Sequence, residues 1–485
     1  QNSLVEELSV KSKNKSRWQW AFGTYAAYQW LRTDAPVYMG SDMNKFLSKH
    51  ITDYAYNGML AAMTKRLAAD MIKRGMPEDK AMEAAAIAAK AAIAKAGGVR
   101  INMQMEPISE LFRTPTFNLG LYHESNINIT NHLRATLGLR YDYSHVAIHY
   151  DTSARLLLDE SVMGINIKPT ITSTLAHNEK NHFKQLLPKI GLTYQLNDGS
   201  NVYATWSKGY RAGGFNIQMF SDILQTELSS AAQGARGDVD VEHDKAYYNN
   251  IAKTIAYKPE TSFNYEIGAH LNLQGGQMRL DLAAYYMQIK NQQLSVLANN
   301  YGFGRMMTNA GKSHSCGAEA TLRGGALNDK LSYGVSYGFT SATFDEYSET
   351  NATGVKINYK DKRVPFVPQH TLSANADYLI NVDPAALLDP TNKFHLRSVT
   401  VGLNMVAQGK TYWDELNTIA QNFYATVGAH ADANFGSMHI NLWVRNLTDT
   451  KYNTFAVQSG ATGTKYTFGQ LGNPFQIGVD ISLHF

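Results

Sequence analysis

The chain has 485 residues, with 45 Lys and Arg against 41 Asp and Glu, and a formal charge of only +4 points to no nucleic-acid partner. Its one cysteine, Cys316, excludes a disulfide within the chain and reads as a structural strand residue; no run of about eighteen apolar residues offers a spanning helix. The 44% hydrophobic content, with 28 Tyr and 19 Phe, suits a wall that is apolar outside, polar inside and aromatic at its rims.

Alternation of apolar and polar residues predicts about fifteen strands, near 2–12, 17–32, 117–129, 132–151, 183–196, 201–210, 262–273, 278–297, 313–323, 331–343, 370–379, 395–409, 421–433, 437–446 and 475–485. Side chains alternate between the two faces of a strand. Leu133, Ala135, Leu137, Leu139 and Tyr141 therefore share one face, and Arg134, Thr136, Gly138, Arg140 and Asp142 the other. Two arginines and an aspartate are poor material for a dry core. In the last segment Phe475, Ile477, Val479, Ile481, Leu483 and Phe485 alternate without a break against Gln476, Gly478, Asp480, Ser482 and His484. The fold expected is all-β, an antiparallel transmembrane β-barrel with lipid on the apolar face and the lumen on the polar one. Alternation slips by one residue at Tyr285-Tyr286, a possible bulge, and 165–174 reads as a loop hairpin or an extra strand.

Between the second and third strands lies a stretch of different character, 41–98. Met43, Phe46, Leu47, Ile51, Tyr54, Leu60, Met63, Leu67 and Met71 fall near helical spacing, and Gly75-Met76-Pro77-Glu78-Asp79 then starts a second helix, Ala81 to Ala96, stopped by Gly97-Gly98. A helical hairpin is expected there, as a lid or as a dock for a surface partner. Methionine at such spacing is usually core packing, and soft-metal chemistry is only the fainter reading.

Short Gly-, Asn- and Asp-rich links alternate with long ones covering 33–116, 152–182, 211–261, 298–312, 344–369, 410–420 and 447–474. Barrels of this kind have short periplasmic turns and long outside loops, which puts the hairpin at 41–98 in an extracellular loop. Fifteen is odd, whereas single-chain bacterial barrels have even strand counts. The expectation is that 1–485 is the carboxy-terminal part of a barrel of about twenty-two strands, with a plug domain and the first strands missing before Gln1 or held on a separate or cleaved chain.

Several motifs carry a family resemblance. Tyr203-Ala-Thr-Trp-Ser-Lys-Gly-Tyr-Arg-Ala-Gly-Gly-Phe-Asn216 and Lys258-Pro-Glu-Thr-Ser-Phe-Asn-Tyr-Glu-Ile-Gly268 are followed by Asn309-Ala310-Gly311 and Gly317-Ala318-Glu319-Ala320. Then come Val367-Pro368-Gln369-His370, Asn446-Leu447-Thr448-Asp449 with Tyr452, and the terminal Phe485. In order and spacing the chain resembles the barrel half of TonB-dependent outer-membrane transporters from about residue 130 onward. The resemblance implies the outer membrane of a Gram-negative bacterium, contact with TonB through the plug portion, and a small-molecule ligand. It also implies that Phe485 is read by the barrel assembly machinery; otherwise it is simply an aromatic at the membrane interface.

Most of these motifs read equally well as structural. Pro259 fixes the chain just before a strand, and Asn446 and Asp449 bond nearby backbone in a turn. The ligand-binding candidates lie in the outside loops. Tyr210, Arg211 and Phe215 surround a flexible Gly213-Gly214 pair, where the guanidinium offers paired donors to a carboxylate, catecholate or phosphate; the alternative is a lumen-facing salt bridge to a plug. Tyr301, Phe303 and Arg305, with Met306 and Met307, form a second aromatic and basic cluster, readable as a stacking site or as loop packing. His145, His149, His177, His182 and His243 show no ligand pattern, so neither metal nor cofactor is expected, and most read as solvated loop residues.

Active import of an iron–siderophore complex is the leading expectation, with haem, cobalamin, peptide or glycan open. A passive pore or a structural or adhesive barrel is the competing class. An enzyme is the least favoured, since no Ser-His-Asp or paired-carboxylate set stands out.

Overall fold

The computed structural model describes residues 1–196, 199–297, 305–350, 355–382, 395–459 and 466–484. Fifteen strands form one antiparallel meander. They are β1 (Asn2–Lys11), β2 (Trp18–Asp34), β3 (Ser109–Asn128), β4 (Leu133–Val162) and β5 (Thr170–Gln195), then β6 (Asn201–Arg211), β7 (Glu260–Leu273), β8 (Met278–Lys290), β9 (Lys312–Ala326) and β10 (Leu331–Glu346). The last five are β11 (His370–Asn381), β12 (Ser398–Gln408), β13 (Tyr424–Asn434), β14 (Met438–Arg445) and β15 (Gln476–Leu483). Each pairs with the next in chain order. Among the described residues no pairing joins β1 to β15.

The two faces of this wall separate as alternation requires. Leu137, Leu139 and Tyr141 on β4, Ile190 and Leu192 on β5, Ile267 on β7, Leu403 on β12 and Ile477, Val479 and Ile481 on β15 are exposed, forming an apolar outer surface. The opposite face carries paired charge. Asp281 takes Arg279, Arg323 and His270 at 2.9, 2.9 and 2.6 Å, Arg140 meets Asp142 at 2.6 Å, and Lys189 meets Glu124 at 3.1 Å. Charge is affordable there only because that face lines a polar lumen.

The suspected slip at Tyr285-Tyr286 is absent. Register runs unbroken through β7, β8 and β9, with Tyr286 on the outer face beside Tyr265 and the Tyr285 hydroxyl 2.9 Å from Thr340 Oγ1 on the other. The irregularity falls instead between Lys312 and Ser313.

The larger departure is the expected loop 152–182, which is mostly strand. β4 and β5 stay paired from Leu133↔Tyr194 up to Leu157↔Thr170, far beyond the bilayer. The reason lies on their inner face. Ile148, Tyr150, Ala154, Leu156, Leu158, Ile171 and Leu175 are buried there with Phe112 of β3. What covers them comes from the expected loop 211–261, which contains α3 (Met219–Ala232) and α4 (Lys245–Ile255). Phe220, Leu224 and Leu228 at four-residue spacing, with Ile251 and Ile255, close this dry core. Asp244 caps α4 by accepting from the Tyr247 N–H at 2.7 Å.

The stretch 41–98 forms α1 (Ser41–Lys73) and α2 (Glu78–Lys95). Ala81, Ala85, Ala89 and Ile93 of α2 are buried, as are Thr64 and Ala68 of α1. The apolar residues that signalled α1 do not all serve its docking: Phe46, Ile51 and Tyr54 stay exposed. A polar stripe docks it instead. Ser48 Oγ accepts from Met103 N (2.9 Å) and donates to Met103 O (3.2 Å), and Thr52 Oγ1 does the same for Ile101 (3.0 and 3.0 Å). The strand Val99–Met105 pairs with β4 on its other side, so α1 finishes its free edge.

Candidate functional site

β6 carries the first expected cluster to the long-link end of the wall. Tyr210 lies opposite Thr261 and Arg211 opposite Glu260 of β7. The Tyr210 hydroxyl is enclosed, while Arg211 is exposed. The chain then turns inward. Gly214-Phe215 pairs with Ala256-Tyr257, and Phe215 packs against the dry core beneath α3 and α4 rather than facing the mouth.

The Gly pair has a packing role and not a hinge role. A Cβ on Gly213 would stand 2.3 Å from the Tyr257 carbonyl oxygen, and one on Gly214 would stand 2.4 Å from the Tyr257 hydroxyl. At Gly213, where the near atom is backbone, only glycine admits that approach.

Two segments that the sequence separates widely are tied together here. The Asn216 carboxamide donates to Met307 O at 2.8 Å and accepts from Met307 N at 2.7 Å. Met307 lies in the hairpin made by Gln293–Leu297 and Arg305–Asn309, where Arg305 pairs with Leu297. Asn309 Oδ1 accepts from Lys258 N at 2.7 Å and its Nδ2 donates to Lys258 O at 2.9 Å. Gln293 closes the set, with its backbone N–H given to Glu260 Oε2 at 2.6 Å and its side chain to Ala212 O at 2.8 Å and Lys258 O at 3.1 Å. The Arg-Ala-Gly-Gly-Phe-Asn, Lys-Pro-Glu-Thr and Asn-Ala-Gly motifs are thus one hydrogen-bonded latch. Tyr301, Phe303 and Phe485 lie outside the described residues.

The residues that sequence reasoning missed sit on the lumen side of the β4–β5 hairpin. His177, exposed, lies 4.7 Å in ring-centroid distance from Tyr248 of α4 and 6.5 Å from Tyr150. The His243 ring lies 4.5 Å from that of Tyr247, tilted by 41°, and its side chain is 4% exposed, so it is no solvated loop residue. Its Nε2 stands 3.1 Å from Glu227 Oε1, while Ser173 donates to Glu227 Oε2. Nearby, Glu110 accepts from Ser221 Oγ at 2.8 Å. Burial, the dominant cause, pushes its carboxyl up to about 7, with the neighbouring Asp222 acting in the same direction. Helical spacing at Phe220, Leu224 and Leu228 was the available signal for this lobe. Among the described residues no group of three His, Cys, Asp or Glu side chains is arranged to hold a metal.

The arrangement offers a ligand arriving from the long-link end an aromatic and imidazole surface, one exposed guanidinium, and a lumen wall carrying paired charges.

Comparison with known proteins is consistent with this architecture. A family model described as TonB dependent receptor-like, beta-barrel matches residues 98–447. The pesticin receptor of Yersinia pestis is 25% identical over 290 residues, covering 58% of this chain and 34% of that protein. Among solved structures, the ferric yersiniabactin uptake receptor from Yersinia pestis superposes with a TM-score of 0.50 at 16% identity, covering 100% of this chain and 61% of that one. A siderophore receptor from Acinetobacter baumannii gives a TM-score of 0.50 at 13% identity, covering 99% and 64%. The chain therefore spans about a third of the curated relative's length.

Proposed function

The chain belongs to the TonB-dependent receptor β-barrel family, and from that premise we propose that it serves the active import of an iron–siderophore complex. Members of this family are outer-membrane proteins of Gram-negative bacteria, and the fifteen-stranded wall has the strand order and faces of such a barrel. The family is one of transport receptors rather than enzymes.

The observation that carries the reading is the α3–α4 lobe. It packs through a dry core onto the lumen-facing side of the β4–β5 hairpin and covers that part of the wall at the long-link end. A passive pore gains nothing from such a cover. A receptor that holds a scarce ligand until energy is supplied does. In this reading the ligand meets His177, Tyr248 and Arg211 on its way in, with the 305–309 hairpin held close by Asn216. The siderophore class is supported by the pesticin and ferric yersiniabactin receptors among the relatives; at these identities they do not select one ligand. The wall itself cannot harvest energy, so the mechanism requires a plug that TonB engages, and further strands pairing the free edges of β1 and β15.

Uptake of radiolabelled iron chelates by iron-starved cells, with and without this protein and with and without TonB, tests the reading. Uptake of at least one chelate that needs both supports it. Uptake that persists without TonB would leave the passive pore as the working function.

A further inference from the structure

We infer that the outer face of β2–β5, at the upper edge of the apolar band, is a binding surface for phosphate-bearing lipid headgroups of the outer leaflet. The pairing register places residues of the four strands in rows. Tyr28, Phe117, His145 and His182 form one row. Ala26, Leu119, Tyr143 and Lys184 lie one row below. Lys180 lies on the row above with Trp30, and Arg32, Arg113, His149 and Asn178 on the next. All share the face of Leu137 and Ile190, by strict alternation.

Height decides what this face meets. On β2 the outward residues run from Trp18 to Tyr28, with the Trp30 ring 5.4 Å from that of Tyr28 and tilted to it. Ten residues at about 3.3 Å each, tilted near 40°, rise about 25 Å, the height of the apolar band between aromatic girdles. The cationic rows therefore straddle the upper edge of the hydrocarbon, with Lys184 one row below Tyr28 and Lys180, Arg32 and Arg113 above it.

The patch has charge without counter-charge. Arg32, Arg113, Lys180 and Lys184 are exposed. None of them forms a salt bridge among the described residues. His145 and His182 meet at 3.0 Å between their Nδ1 atoms, with the Tyr143 hydroxyl at 3.1 Å from the latter. No carboxylate lies on these four strands within these rows. The first ones are Asp34 and Asp151 one row higher, and Glu6 across on β1. On the inner face of the same strands Arg140 and Lys189 each have a carboxylate partner, Asp142 and Glu124. Four cations beside two touching imidazoles, held at headgroup height with their partners absent, fit an anionic lipid surface by charge and by continuity with the lipid-facing band.

The test uses the full chain purified from outer membranes in mild detergent, with diphosphoryl lipid A and its dephosphorylated form as probes, read by native mass spectrometry. Each Lys or Arg near an anionic surface contributes roughly a factor of five, so the fourfold variant R32Q/R113Q/K180Q/K184Q is expected to lose roughly six hundredfold in binding of the phosphorylated probe. The control K189Q on the inner face should lose nothing, and heat-modifiable mobility on gels checks that each variant is folded. Equal binding by wild type and the fourfold variant, or no preference for phosphate, overturns the proposal. So does loss of binding to an added anionic protein partner with lipid binding unchanged.

Discussion

Gly213 and Asn216 carry the sharpest expectations at the scale of single residues. A Cβ at Gly213 has nowhere to go but into the Tyr257 carbonyl, so Gly213→Ala should cost about 1–3 kcal/mol, read as a lower unfolding temperature and faster proteolysis between 212 and 257. Asn216→Ala removes both hydrogen bonds to Met307 and should cost about 2 kcal/mol. Hydrogen exchange at the Met307 amide is the direct readout, and unchanged protection there would show that the latch does not hold the hairpin. Glu110 gives a pH dependence with a definite sign. Its carboxyl titrates near 7 in the folded chain, above the ordinary 4.5, so the folded state binds the proton more tightly. Docking of α3 is therefore strongest below about pH 4.5, weakens as pH rises, and levels off above about 7, by up to about 3 kcal/mol in all. Glu110→Gln should remove that dependence while keeping an acceptor for Ser221, which exchange rates in α3, corrected for intrinsic pH effects, will show.

At the scale of elements, α1 is held by hydroxyls where its sequence advertised hydrophobics. Periodic Met43, Phe46, Leu47 and Ile51 predict a helix correctly, since spacing alone sets the face a residue shares. Which face docks depends on the neighbour. Here the neighbour is an unfinished strand edge, and Ser48 and Thr52 supply the donors and acceptors that another strand would have supplied. The double variant S48A/T52V removes four hydrogen bonds, about 3–4 kcal/mol at most. Cleavage between 97 and 106 by a limiting protease should then rise at least tenfold, with α1 and α2 still paired through their alanines. The same contrast runs through β4 and β5. Their alternation reads clearly up to Asp151, then the inner face turns apolar, because α3 and α4 bury it and no lumen wets it.

At the scale of the whole molecule, the wall sorts substitutions by face. Leu442, exposed on the outer face of β14, and Asn441 beside it on the inner face differ by one position. Leu442→Lys should cost about 2–4 kcal/mol near the bilayer midplane, whereas Asn441→Lys should be close to neutral. The yield of heat-modifiable folded barrel separates them, and equal yields would place lipid on the wrong face. Fifteen strands and their order were legible in the chain, because period two in hydrophobicity is a local property that needs no partner to be read. Family and membrane setting followed from motifs such as Asn446-Leu447-Thr448-Asp449. Asn446 proves to pin the 446–475 connection through Thr450 and Asn473 at 3.0 and 2.9 Å. Tertiary structure alone decided where the motifs meet. Nothing local says that Asn216 reaches Met307, that Phe215 turns into a core, that His145 touches His182, or that β4 and β5 continue above the bilayer. Those outcomes depend on which distant segments share a face, a matter of register and loop packing that alternation within one strand does not encode.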